Sequence, residues 1–360
     1  MMPFMISMFQ SLAHISQSCD DCRQFVVKVF VILCGVFCVL PAVAEEPSAF
    51  TFVTYNVENL FDCRHDTLKN DHEFLPDGDR RWTWKRYRKK VNDIARVLHE
   101  IGEPNESKVD YTKFHIPDVI VLCEVENDSV IVSLTRRSLL RSAGYRYVIT
   151  QSEDPRGVDV SILYNPLTFR PDTFFSIRVD SLRGFVPTRD ILYIKGTTRA
   201  GEKLHVFALH APSRSSGEMK TRPYRMLVSN TVAHHVDSLL ADDPSANIIV
   251  AGDFNDYSYN ESLKNLSERL CHISKDAKGY NENRTHVHGT YYFQGEWGSL
   301  DHILVSPSIA SKVTQCNIFD RDWLLELDAH GVLKPKRTYR GTMYNGGVSD
   351  HLPLVLKIER

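Results

Sequence analysis

No stretch of this sequence is apolar for long enough to cross a bilayer as a settled helix. The longest candidate, residues 29–40, is twelve residues, where a span needs about 20. Net charge is scarce too, −2 over 360 residues, so no global field draws nucleic acid or an anionic membrane, and either partner would need a local basic surface. No Pro-, Ser- or Gly-rich linker and no internal repeat divides residues 45–360, which argues against a string of domains or a solenoid. Cysteine thins out over the same region. Of eight cysteines only Cys63, Cys123, Cys271 and Cys316 lie beyond residue 44. Four are too few for a disulfide scaffold, although an oxidising compartment would permit one or two bridges.

What is present is globular: 42% apolar and 24% charged residues, enough for a sizeable core. Residues 1–44 read as an export signal, with Arg23 and Lys28 ahead of the apolar run; the rival, an uncleaved membrane anchor, is disfavoured by the small-residue cleavage pattern Ala42-Val43-Ala44 that follows at once. Met5 or Met8 would serve as a shorter start. The Cys19-x-x-Cys22 pair falls inside this leader, which weakens a redox or zinc reading of it. The expected organisation is therefore a signal peptide over 1–44 and one α/β domain over 45–360.

Eight runs rich in Val, Ile and Leu predict buried strands: 51–56, 119–124, 158–164, 191–197, 204–210, 247–252, 302–305 and 352–358. Val91, Ile94, Ala95, Leu98 and Ile101 follow the helical i, i+3, i+4 rhythm. A second helix is expected to open at Thr221 and Pro223, with Leu227, Val228, Val232, Val236 and Leu239 as its apolar stripe. Polar residues able to hold a metal or a phosphate stand at the ends of these strands, where a layered α/β scaffold presents chemistry.

Each such motif has a bland reading by itself. Asn56, followed by Glu58, could be a turn former. Glu124 interrupts an apolar run, and its charge demands a metal or a buried arginine. A lone His210 in His210-Ala211-Pro212-Ser213 is more often structural. Gly252-Asp253-Phe254-Asn255 leaves a buried strand with a carboxylate that can hold water, followed by an amide that can donate to a phosphoryl oxygen. Asp301 stands at a strand entrance. Asp350 and His351, adjacent in an extended segment, are expected to point in opposite directions. Six bland readings in one chain, all at strand ends, are improbable.

Over residues 50–360 these motifs, in this order, resemble the endonuclease/exonuclease/phosphatase superfamily; GDFN and Ser349-Asp350-His351 are the most specific strings. The resemblance implies a four-layer α/β/β/α sandwich of two face-to-face sheets and a Mg2+ or Mn2+ ion in the cleft. It implies Glu124 as the direct metal ligand, helped by Asn56, Glu58 and Asp350. It assigns Asp253 to the attacking water, Asn255 to the phosphate, His351 to the transition state with Asp301 orienting it, and His210 to the leaving oxygen as general acid.

Arg156 is a candidate phosphate contact, with a plain Arg–Asp surface pair as its rival. Trp297 is a candidate cleft wall alongside Tyr291, Tyr292 and Phe293, with core and rim packing as the equal alternative for these aromatics. The basic cluster Lys334, Lys336, Arg337, Tyr339 and Arg340 precedes the SDH motif and offers Lys336 and Arg337 for substrate binding. A second basic run, from Arg80 to Lys90 with Trp82, Trp84 and Tyr87 between, reads as a solvated helix face whose aromatics pack inward. The expected function is metal-dependent hydrolysis of phosphodiesters by an exported, monomeric nuclease or phosphodiesterase, periplasmic, cell-surface or secreted. The alternatives are a phosphatase on small or lipid-derived esters and an inactive binding or adhesin member.

Overall fold

The computed structural model describes residues 49–102, 116–180, 182, 186–215, 217–279 and 287–359; the expected leader, 1–44, lies outside them. All described residues fall in one compact unit. Two six-stranded mixed sheets dominate it. The first runs β13 (Val313–Ile318), β18 (Leu354–Glu359), β1 (Ala49–Leu60), β2 (Val119–Val125), β4 (Asp159–Tyr164), β3 (Arg146–Ile149). The second runs β5 (Phe169–Ile177), β6 (Ile191–Thr198), β7 (Lys203–His210), β8 (Ile248–Asp253), β12 (Asp301–Val305), β9 (Cys271–His272). Short two-stranded pieces complete the chain: β10 (Tyr291–Phe293) with β11 (Glu296–Gly298), β14 (Leu325–Leu327) with β15 (Leu333–Pro335), and β16 (Tyr339–Arg340) with β17 (Met343–Tyr344).

The two sheets share a plan. Each has one parallel pair at its centre, β1 with β2 and β7 with β8, and every other neighbouring pair is antiparallel. A parallel pair needs a crossover, and a helix supplies it in both cases: α1 (Trp84–Gly102) and α3 (Glu218–Asp242). Two further helices are α2 (Asp128–Arg136), beside α1, and α4 (Glu261–Ser267), beside α3. The inner faces of β1 and β2 meet those of β7, β8 and β12.

Alternation along the second sheet shows why these runs lack polar residues. Val206, Ala208, Ile249, Ala251, Ile303 and Val305 enter the core shared with the first sheet. Their neighbours Phe207, Leu209, Ile248, Val250 and Leu304 enter the core under α3 and α4. Both faces are covered, so both must be apolar. The result is a four-layer α/β/β/α sandwich, as expected.

All eight predicted runs are interior strands of the two large sheets; their four edges, β13, β3, β5 and β9, were not predicted, nor were the six strands of the small two-stranded pieces. The stripe of α1 is buried as predicted. The helix α3 begins at Glu218, so Pro223 lies inside it rather than at its opening. The four described cysteines are free thiols, and the permitted bridges do not form among them. No described helix is long and apolar enough to cross a membrane.

Candidate active site

Strand register gathers the site. His210 is paired with Asp253 across β7 and β8, and Asp253 with Asp301 across β8 and β12, so three functional side chains stand in one row. Gly252 makes the row possible. Its φ is +143°, and a Cβ there would meet the Leu209 carbonyl oxygen at 1.9 Å. In the first sheet the β1–β2 register breaks between Asn56 and Leu60, opposite Glu124. Such a bulge re-aims side chains.

Among the described residues six that are not glycine have positive φ, and four of them, Glu58, Asn59, Glu124 and Asn255, line one cleft. Left-handed backbone costs about 1–2 kcal/mol per residue, and concentrating it at one cleft marks a functional constraint. The cleft is also lined by Asn56, Arg156, His210, Ser213, Asp253, Tyr291, Leu300, Asp350 and His351.

On the first-sheet side Glu124 accepts the Asn59 N–H at 2.8 Å through Oε2, while Oε1 faces Arg156 at 3.5 Å and His210 at 3.8 Å. Burial opposes its charge, yet Arg156, His351 and Arg189 outweigh burial and hold its pKa below the usual range. Arg156 thus reaches into the cleft instead of pairing with Asp159, which is satisfied by Thr150 and Ser152. Glu58 is pushed up to about 7 by burial and by Asp350, against the pull of Lys90 and Arg337. Both its oxygens are engaged: Thr338 N–H donates to Oε2 at 2.6 Å and Arg337 Nε lies 3.5 Å from Oε1. Arg337 also donates to Asp350 Oδ2 at 2.7 Å. Beneath them the buried Lys90 donates to the Glu58 carbonyl and, at 2.5 Å, to the Thr338 hydroxyl. Burial lowers its pKa to about 8.

On the second-sheet side Asp253 is 1% exposed. Its Oδ2 accepts Asn56 Nδ2 at 2.9 Å and its Oδ1 the Asn255 N–H at 2.8 Å. Burial, with Asp301 adding to it against His351, pushes its pKa up to about 7. His351 is held by Asp301 at 2.7 Å from Nδ1, and Thr290 donates to the same carboxylate at 2.6 Å. Burial lowers the His351 pKa, but Asp301, Asp253 and Asp350 outweigh burial and raise it well above the ordinary value. His210 goes the other way. Burial and the nearby Arg189, Arg156 and His351 drive its pKa well down. Its Nδ1 is buried without a hydrogen-bond partner, whereas Nε2 sits 3.6 Å from Asp253 and 3.8 Å from Glu124. Two carboxylate acceptors on that side place the proton of the neutral ring on Nε2.

Asp350 and His351 do diverge, to Arg337 and to Asp301, and Ser349 ties both to the end of β1 through the Asn56 carbonyl at 2.7 Å. Other expectations need correction. Asn56 spends its amide on Asp253 and its Oδ1 on the Glu58 N–H, so it orders the site more than it offers a ligand. Trp297 packs on the core and edge-on to Tyr292, and Lys336 is absent from the cleft lining; Tyr291, its ring 4.9 Å from His351, is the aromatic wall. The basic cluster is dispersed, with Arg340 on Glu326 and Tyr339 buried. In the earlier basic run Trp82 and Tyr87 are buried as expected, whereas Trp84 is exposed and Lys90 is a buried member of the site. Its place on the inner face of α1, one residue before Val91 in the apolar stripe, was the available signal.

The donors fit a hard divalent cation. Glu124 Oε1 has only loose partners, Asp350 lines the same cleft, and carboxylates are the preferred ligands of such ions. Asp253, Asp301 and His351 also bring donor atoms within 4.8 Å of one another. Asp301 is fully buried with its Oδ2 shared by His351 and Thr290, so that trio holds a proton better than a metal.

Paired carboxylates at a bulge, two imidazoles and a buried carboxylate between two sheets are the donors and acceptors that metal-dependent phosphoester hydrolysis calls for. The family model described as Endonuclease/Exonuclease/phosphatase family matches residues 51–360, and the chain belongs to that family. No curated protein matches the sequence. Among solved structures it is similar to an endonuclease/exonuclease/phosphatase family protein from Bacteroides thetaiotaomicron, at 17% identity over 87% of this chain and 98% of that one, TM-score 0.56. A mannosyl-6-phosphatase of the same organism gives 17% identity, 85% and 98% coverage and a TM-score of 0.56. Truncated Caenorhabditis elegans TDP2 gives 14% identity, 87% and 98% coverage and a TM-score of 0.53. At these identities the likeness speaks for the fold.

Proposed function

We propose that this enzyme is an exported, monomeric phosphodiesterase that uses Mg2+ or Mn2+. The observation that carries the reading is the pair of imidazoles facing one base: His351 Nε2 at 4.0 Å and His210 Nε2 at 3.6 Å from Asp253 Oδ2, one ring charged and the other neutral. A bound divalent ion, held by Glu124 and Asp350, supplies charge stabilisation at the phosphoryl oxygens. Asp253, with a pKa near neutrality, accepts the proton of the attacking water. Asn255 gives one amide hydrogen to the Ala211 carbonyl at 3.0 Å and keeps the other for a phosphoryl oxygen. His351, fixed by Asp301, meets the developing negative charge. His210, held neutral, offers a hydrogen bond to the leaving oxygen, a milder role than the general acid expected from sequence.

Dispersal of the basic cluster favours a small diester over a nucleic-acid strand. A second reading, a phosphatase, draws support from the Arg156 and Arg337 guanidiniums on cleft carboxylates, which suit a dianionic monoester, and from the likeness to a mannosyl-6-phosphatase. The deciding experiment is a panel of bis-p-nitrophenyl phosphate, p-nitrophenyl phosphate, duplex and single-stranded DNA, RNA, inositol phosphates and sphingomyelin. Diester cleavage should exceed monoester cleavage, stop in chelator and return with Mg2+ or Mn2+. Monoester activity in excess, with diesters untouched, selects the phosphatase. No hydrolysis by folded, metal-loaded protein would leave a binding role. Export predicts a mature N-terminus at Glu45; a cell-retained chain with residues 1–44 intact refutes it.

A further inference from the structure

The segment after β1 carries a second group of metal-type donors outside the cleft. His65, Asp71 and His72 bring one donor atom each within 4.8 Å of one another. Asp71 is 1% exposed. Its Oδ1 lies 2.5 Å from His65 Nδ1, and its Oδ2 accepts the Asp66 N–H at 2.7 Å. The His65 and His72 rings lie 4.3 Å apart between centroids, tilted by 33°, and both residues are exposed. A fixed carboxylate thus aligns one imidazole beside another, with solvent access for an ion. Two imidazole nitrogens and one carboxylate suit a borderline cation such as Zn2+, which takes three protein ligands and water at about 2.0–2.2 Å. Mg2+ and Ca2+ prefer all-oxygen surroundings.

The same segment is stitched to the active-site loop that carries Arg156. Asn70 N–H donates to the Pro155 carbonyl at 2.8 Å, and Lys69 Nζ to the carbonyls of Ser152 and Asp154 at 2.7 and 2.9 Å. Asp154 in turn accepts the Arg156 N–H at 2.7 Å, and Arg156 faces Glu124. We propose that His65, Asp71 and His72 form a second metal site, selective for Zn2+ over Mg2+ and Ca2+, whose occupation braces the Arg156 loop. On binding, Zn2+ takes the place of the hydrogen bond between His65 Nδ1 and Asp71 Oδ1, and the neutral imidazole carries its proton on Nε2.

The test is Zn2+ titration of the full chain in millimolar Mg2+ by calorimetry, for wild type, His72→Gln and Glu124→Gln. His72 is exposed, so its variant should melt with the wild type when metal-free. Loss of an outer partner alone weakens metal sites by about 10–100-fold, so loss of a ligand should exceed about 100-fold. Tight Zn2+ binding should therefore survive in Glu124→Gln and be lost in His72→Gln. The reverse pattern, or equal affinity in all three, overturns the site. Zn2+ should also slow amide exchange across residues 152–157 in wild type and Glu124→Gln, and not in His72→Gln. Unchanged exchange with Zn2+ bound at His72 would overturn the bracing.

Discussion

At the end of the first sheet each carboxylate is met by a cation: Glu124 by Arg156, Asp350 by Arg337, and Glu58 by Arg337 with Lys90 below. At the end of the second sheet Asp253 and Asp301 are held by Asn56, the Asn255 N–H, Thr290 and His351, two amides, a hydroxyl and one imidazolium that is itself buried. The two halves have the same β–helix–β plan, so topology does not explain the contrast. Chemistry does. Acids that must release a protein cation to take up a metal ion need exchangeable, partly exposed partners, and Arg156 and Arg337 are each 44% exposed at the side chain. A base that must keep one geometry through turnover needs buried, directional ones.

The largest effect should come from breaking the second half. Asp253→Asn removes the base and should lower turnover by about 10²–10⁴, and raising Mg2+ should not restore it. Glu124→Gln should instead weaken metal affinity and regain much of its rate at high Mg2+. Metal titrations of kcat for both variants decide the matter. Rescue of Asp253→Asn by metal would erase the distinction between the halves.

How far the sequence reveals this follows the same line. The interior strands were legible because both faces are buried and the runs are uniformly apolar. The edges were not: β5 buries little more than its ends, Phe169 and Ile177, and β9 has only two residues. The residues at the ends of interior strands, His210, Asp253 and Asp301, were therefore placed with their motifs. What periodicity could not carry was backbone set by long-range pairing. The positive φ of Glu58 and Glu124 comes from a bulge between distant strands, and glutamate gives no local cue for it. Lys90 looked like one more basic residue of a solvated run because its partners, Glu58 and Thr338, lie 32 and 248 residues away.

Lys90 gives the intermediate effect. Replacing it with Met leaves Glu58 and Asp350 with one cation fewer in a buried setting. Breaking a buried ionic arrangement costs about 3–5 kcal/mol. The expected loss is at the low end, about 3 kcal/mol, because Glu58, already at about 7, can take up a proton. Urea melts of Lys90→Met, Glu58→Gln and the double variant check this. The double variant should be more stable than Lys90→Met alone. Strict additivity would show that Lys90 acts by packing and not by charge.

The smallest effect lies behind the second half, in a chain of neutral histidines. His302 Nε2 donates to the Asp256 carbonyl at 2.9 Å, so its Nδ1 must accept from His272 Nε2 at 3.0 Å. Protonating His302 would set two N–H groups against each other. Burial accordingly lowers its pKa to about 4, against about 6.5 in the unfolded chain. The unfolded state takes up the proton first, so this contribution to stability is complete above pH 6.5 and is lost as pH falls towards 4. Between pH 7.5 and 5 the loss should be about 2 kcal/mol. Glu58 and Asp253, raised to about 7, and Glu126, raised to about 8, protonate in the folded protein over the same interval and shift stability the opposite way. The histidine term is therefore read by difference. The stability gap between wild type and His302→Asn, in urea melts at fixed Mg2+, should narrow by about 2 kcal/mol from pH 7.5 to 5. A gap that does not change with pH would mean that the second half tolerates charge behind its base, and that its contrast with the first half is one of geometry alone.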